Sequence, residues 1–189
     1  MIGAVYHRLR SDAVTFLRSD QAGSVSFETV LILPLLLWFY VGSFVFFDAF
    51  RVYNRNVKAA YTVSDMLSRQ TNAINNAYLE GLTDVFDYMA SQRHTSWLRV
   101  AQIRWQGSRN RYRVDWSRGT NGKNRTRIRN NNLHEIVDRL PPLVNGERVL
   151  VVQSFTEYTP AVNVGLSPTI TLSNFVVTSP RFAPMLAKN

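Results

Sequence analysis

Thr29-Val-Leu-Ile-Leu-Pro-Leu-Leu-Leu-Trp-Phe-Tyr-Val-Gly-Ser-Phe-Val-Phe-Phe47 decides how this chain is read: nineteen residues without a charge, bounded by Glu28 and Asp48. As a helix the run spans about 28 Å at about 1.5 Å per residue, close to the roughly 30 Å hydrocarbon core of a bilayer. A core helix of a water-soluble domain would carry a polar stripe, and this segment has none. It is read as a membrane-spanning helix over residues 29–47. Pro34 is compatible with that, because neighbouring groups and local adjustment can satisfy the carbonyl it frees. A cleaved secretory signal has an apolar run of about 7–15 residues followed by a small-residue site. Here the run is longer and ends in Phe46-Phe47-Asp48-Ala49-Phe50, and Arg8 and Arg10 do not form a twin-arginine pair.

The rest of the chain fits one ordinary domain. The whole chain has 189 residues, 46% hydrophobic and 19% charged, which excludes a disordered polymer. With no Cys, a disulfide scaffold, a thiolate metal site and a cysteine nucleophile are excluded, though the compartment is not fixed. The formal net charge of +9 points to an acidic partner such as nucleic acid or anionic lipid. Counting cations beside the apolar run does not orient it: Arg8, Arg10 and Arg18 precede it, and Arg51, Arg55 and Lys58 follow.

Beyond the run, no Gly or Pro occurs from Asp48 to Gln70, and Phe50, Tyr53, Val57, Ala60, Tyr61, Ser64 and Leu67 recur at helical steps. This predicts an amphipathic extension of the same helix, with those residues on one face. Ile74, Tyr78, Leu82, Val85, Phe86 and Met89 predict a second helix. Segments 97–105 and 111–117, rich in aromatic and β-branched residues around a short turn-like connector, read as a hairpin. Arg118–Asn132 reads as an exposed loop, and Leu133, Ile136, Val137 and Leu140 as a short helix closed by Pro141-Pro142. Arg148–Tyr158 and Ile170–Thr178 read as two further strands. The class is therefore α+β: one long helix, helical additions and a small antiparallel sheet.

The junction before the apolar run is Asp20-Gln-Ala-Gly-Ser-Val-Ser-Phe-Glu28, a short Arg-containing leader ending in Gly23 and Ser24 with Glu28 at the apolar edge. It resembles the processing site of type IV pilins and pseudopilins, cut after the Gly so that the Glu becomes the fifth residue. Extended through Leu37, it is similar to the TadE-like family of tight-adherence (Flp/Tad, type IVb) pilus assembly pseudopilins. Arg148–Pro160 and Ser179-Pro-Arg-Phe182 resemble that family's late strand and tail. Major pilins of the system carry an aromatic residue after the Glu, where this chain has Thr29, so the resemblance implies a minor or accessory subunit.

The resemblance implies a cytoplasmic leader over residues 1–23, a membrane helix with its extension over 24–69, and a periplasmic α+β head over 70–189. It implies a single-pass protein of the bacterial inner membrane, able to join a surface pilus. Its partners would be other pilin-like subunits, a prepilin peptidase and the pilus secretion machinery. Processing at Gly23 and Ser24 would free an α-amino group, and a neighbouring subunit's Glu28 could pair with it as a register device for assembly. The simpler account of Glu28, a carboxylate at a helix start favoured by the helix dipole, stays open.

Ten basic residues and one acid, Asp115, lie between Arg99 and Arg129. With Trp105, Tyr112 and Trp116 interleaved, this stretch could bind nucleic acid, dock a partner through Arg104, Arg109, Arg111, Arg113 and Arg118, or be a solvated face. A head outside the cytoplasm meets no intracellular nucleic acid, so nucleic acid is not the expected partner. The scattered His7, His94 and His134 and the absence of a phosphate loop or nucleophile elbow point away from an enzyme, a cofactor or a metal. Asp84 and Asp87, three apart, read as a solvated helix face. The alternative function is an uncleaved single-pass protein whose extracytoplasmic domain binds an acidic ligand.

Overall fold

The computed structural model describes the backbone of residues 2–90, 95–162 and 169–188, and the side chains among these from Glu28 onward. The chain divides into two units, Met1–Phe46 and Phe47–Asn189. Helix α1 is Ile2–Ser68 and contributes to both.

In the first unit the described side chains are those of an apolar helix. From Val30 to Tyr40 every large apolar side chain is 48–69% exposed, and these residues occupy all sides of the helix. Pro34 lies inside it. The Ser43 hydroxyl donates to the Phe39 carbonyl at 2.9 Å, so even this polar group is satisfied within the helix.

The second unit is a helix-covered sheet. Helix α2 (Asn76–Ala90) is followed by β1 (Ser96–Gln106), β2 (Arg111–Gly119), β3 (Arg148–Tyr158) and β4 (Ile170–Thr178). All neighbours are antiparallel in the order β2-β1-β3-β4, so β2 and β4 are the edges. The fold class is α+β, with a hairpin and two later strands where the sequence places them.

One sheet face packs on the helices. Leu98 and Val100 of β1, Leu150 and Val152 of β3 and Val176 of β4 form a core with Ala59, Ala60, Val63 and Leu67 of α1 and with Leu79, Leu82 and Phe86 of α2. Of the expected face of α1, Ala60, Ser64 and Leu67 are buried, but its aromatic residues are not. The buried residues are Val52, Asn56, Ala59, Ala60, Val63, Ser64 and Leu67, whereas Phe50, Tyr53 and Tyr61 are exposed. Periodicity fixes the spacing of a stripe but not which of two adjacent stripes turns inward. Ala59, Ala60 and Ser64 let the helix approach the sheet closely, which the larger aromatics would prevent.

The second helix is present as α2, with Leu82 and Phe86 among its buried residues. Leu79, Leu82, Thr83, Phe86 and Ala90 are buried, while Met89 is exposed and Ile74 is buried ahead of the helix, bridged to Lys188. Asn75 caps this helix, its Oδ1 accepting from the Tyr78 amide at 2.8 Å.

The opposite sheet face carries Ala101, Ile103, Val149 and Val151 under a cover of Ile128, Leu133, Ile136 and Leu140. The segment expected to form a short helix is two 3₁₀ turns, Leu133–Glu135 and Val137–Arg139. Leu133 and Ile136, then Val137 and Leu140, each lie three apart, which suits a helix whose i and i+3 side chains eclipse. The expected exposed loop is pinned at two points, since Thr120 and Ile128 are buried. Gly119 closes β2 where a Cβ would meet the Lys123 carbonyl oxygen at 2.4 Å, so no side chain fits there.

Candidate functional site

The sequence singles out the processing junction, the carboxylate at the apolar edge and the basic surface. Gly23 and Ser24 lie in the backbone of α1, but their side chains fall outside the described residues. Glu28 is exposed, immediately before the apolar segment.

The basic surface is built by strand register. Arg104 on β1 stands directly opposite Arg113 on β2 and Arg148 on β3, a row of three guanidinium groups across three adjacent strands. Like charges opposite one another in a sheet are destabilising, so the row needs a counter-charge. Asp115 supplies it from a β-bulge. The β1–β2 register shifts at Gln102/Ile103, where Gln102 pairs with Trp116 and Ile103 with Val114, leaving Asp115 as the extra residue. The bulge turns its carboxylate to the same face as the arginines. Arg148 Nε donates to Asp115 Oδ2 at 2.9 Å, Gln102 Nε2 donates to the same oxygen at 3.3 Å, and Arg104 Nε lies 3.4 Å from Oδ1. The Asp115 side chain is 17% exposed, so this pairing is partly shielded from water.

The five predicted docking residues therefore separate into two kinds. Arg104 is engaged with Asp115, and Arg118 lies 3.8 Å from Glu80 of α2. Both side chains are half-buried. Arg109, Arg111 and Arg113 are exposed and make no ion pair among the described residues. Sequence reasoning missed Arg148, forty-four positions from Arg104, because only the pairing of β1 with β3 brings the two together.

The remaining polar groups are structural. The Thr120 hydroxyl accepts from the Leu98 amide at 2.9 Å and pairs with the Thr83 hydroxyl at 2.8 Å, joining the loop to β1 and α2. Asp87 accepts from the Ser96 hydroxyl at the start of β1. Burial holds its carboxyl above the usual carboxylate range; the Ser96 bond opposes this and nearby Asp84 adds to it. No cluster of three His, Asp or Glu suited to a metal occurs among the described residues. The tail crosses to β1 and β2: the Leu186 amide donates to Gln102 Oε1 at 2.9 Å, and Trp116 Nε1 donates to the Leu186 carbonyl at 2.9 Å.

Together these features define a chain with one described helix long and apolar enough to cross a membrane, mean hydropathy 2.3 over its most apolar window, and a four-stranded α+β unit. No family model, curated protein or solved structure matches it.

Proposed function

We propose that this chain is a single-pass membrane protein and a minor or accessory pilin-like subunit of a tight-adherence pilus, cut after Gly23 by a prepilin peptidase. The observation that carries the proposal is the exposure of the apolar side chains from Val30 to Tyr40 on every side of α1. A helix apolar all round needs an apolar surrounding, and lipid supplies it. Glu28 stands where that segment begins, and a carboxylate at a membrane edge is best accommodated with a cationic partner. The freed α-amino group of Ser24 on a neighbouring subunit is a partner of the right charge.

In this account the head is periplasmic, the leader is cytoplasmic, and the subunit takes part in pilus assembly or initiation with other pilin-like subunits. Helix α1 includes positions 23 and 24, so cleavage requires that turn to open. Gly23 favours opening, because Gly is less favourable than Ala in a helix interior by about 0.8–1.0 kcal/mol. The test is the mass of the chain from cells with and without the peptidase. Loss of the first 23 residues only when the peptidase is present supports the reading, and an uncut chain in both overturns it.

A second reading is favoured by Arg109, Arg111 and Arg113, exposed and without ion pairs among the described residues. In it, an uncleaved single-pass protein uses this edge to bind an acidic ligand. Salt-sensitive binding of an anionic polymer, lost in R111A/R113A, would favour it.

A further inference from the structure

The two edges of the sheet are built in opposite ways. β2 carries Arg111, Arg113 and Arg118 and is broken by the bulge at Asp115. Charges and bulges are the usual devices that stop an edge strand from pairing with another chain. β4, Ile170-Thr-Leu-Ser-Asn-Phe-Val-Val-Thr178, has neither. It has no charge and no proline, and it pairs with β3 without interruption from Leu150↔Thr178 to Tyr158↔Ile170. Among the described residues its outer edge faces no further strand.

The surrounding sequence strengthens the contrast. From Tyr158 to Pro180 there is no charged residue, a longer uncharged stretch than the membrane-spanning candidate itself. With a net charge of +9, two copies repel one another where their basic faces meet. An uncharged edge is where they can approach.

We propose that β4 is a self-association edge, pairing antiparallel with β4 of a second copy about a two-fold axis at Asn174. This register pairs all nine residues and joins the two sheets into one of eight strands. Leu172 then faces Val176 of the second copy on the helix-covered side, and Ser173 faces Phe175 on the other. No like charges meet at any position, whereas the same operation on β2 would bring together two arginine-bearing, bulged strands. Arg139 stacks over the Phe175 ring, 4.0 Å from its centroid, on the sheet face opposite the helices. The inference does not depend on processing at Gly23.

The chain has no Cys, so single cysteines can be placed in it and read without background. In the full chain, in detergent or in its membrane, Asn174→Cys brings two Cα atoms to about 4.5–5.5 Å, inside disulfide range. Mild oxidation should give a disulfide-linked homodimer. Ser173→Cys, displaced from its own copy by two positions, and Arg113→Cys on the other edge should give little. Independently, Thr171→Lys with Ser173→Lys alters only exposed side chains and should weaken self-association about tenfold, with the circular dichroism unchanged. The proposal is overturned if N174C cross-links no better than R113C, if it cross-links only to a different protein, or if the lysine pair leaves self-association unchanged.

Discussion

The Tyr158 hydroxyl donates to Asp48 Oδ2 at 3.2 Å, tying the last residue of β3 to the first charged residue after the apolar run. Tyr158 is buried at 1% exposure, and burial followed by the Asp48 charge holds its phenol above the ordinary tyrosine range. The bond therefore secures helix α1 to the sheet within the second unit, at the point where α1 leaves its apolar segment.

Tyr158→Phe should lower stability by about 1 kcal/mol at neutral pH, the usual net contribution of one hydrogen bond. The sign of its pH dependence follows from the raised phenol. Its contribution is complete below the unfolded tyrosine pKa and is lost as pH rises through the higher folded value. Wild type should thus lose stability above about pH 10, and Y158F should lose less, as read by denaturant unfolding at pH 7 and pH 11.

Asp115 is the counter-charge of the arginine row. Asp115→Ala leaves Arg104 and Arg148, 31% and 22% exposed, opposite one another without a carboxylate. We expect a loss of about 2 kcal/mol, below the full penalty for a buried pair because water still reaches these groups. Arg113→Ala should leave stability within about 0.5 kcal/mol of wild type, since it removes a like-charged neighbour and no bond. A D115A effect as small as that of R113A in urea unfolding would refute the counter-charge role.

Thr120 holds the start of the 120–132 loop to β1. Thr120→Val removes the acceptor of the buried Leu98 amide and the partner of Thr83. Leaving such groups unpaired costs about 1–3 kcal/mol, whereas Thr126→Val, which removes an exposed bond to the Lys123 carbonyl, should be close to neutral. Thermal melts of the two variants in parallel check this.

Asp87 gives a prediction on the acid side. Its carboxyl is raised by burial, so the folded state favours its protonated form. That contribution is present below the unfolded carboxylate pKa and is lost as pH rises through the folded one. Asp87→Asn keeps an acceptor for Ser96 without the charge. Relative to wild type, D87N should gain stability as pH is raised from about 3 to about 7; a difference that stays flat or shrinks would contradict the assignment.

Much of this architecture is legible in the residues, and the misses have definite causes. Arg148–Tyr158 and Ile170–Thr178 are strands with the expected ends, because β-branched runs bounded by turn residues leave little alternative. The phase of α1 is not legible: Phe50, Tyr53 and Tyr61 form as regular a stripe as Val52, Asn56, Ala59 and Val63, and only the sheet decides between them. The role of Arg148 likewise depends on a register that no local pattern encodes. The single acid in the basic stretch is visible in sequence, but the bulge that aims Asp115 at two arginines is a property of pairing.

Determining the mature N terminus tests the central claim most directly. The chain is expressed with and without an active prepilin peptidase, and its N-terminal sequence and intact mass are read from membranes. The account predicts a chain beginning at Ser24 when the peptidase is active, and full-length chain when it is absent or when Gly23 is replaced by a bulky residue. A chain that keeps Met1–Gly23 beside an active peptidase, or is cut at another position, would contradict it.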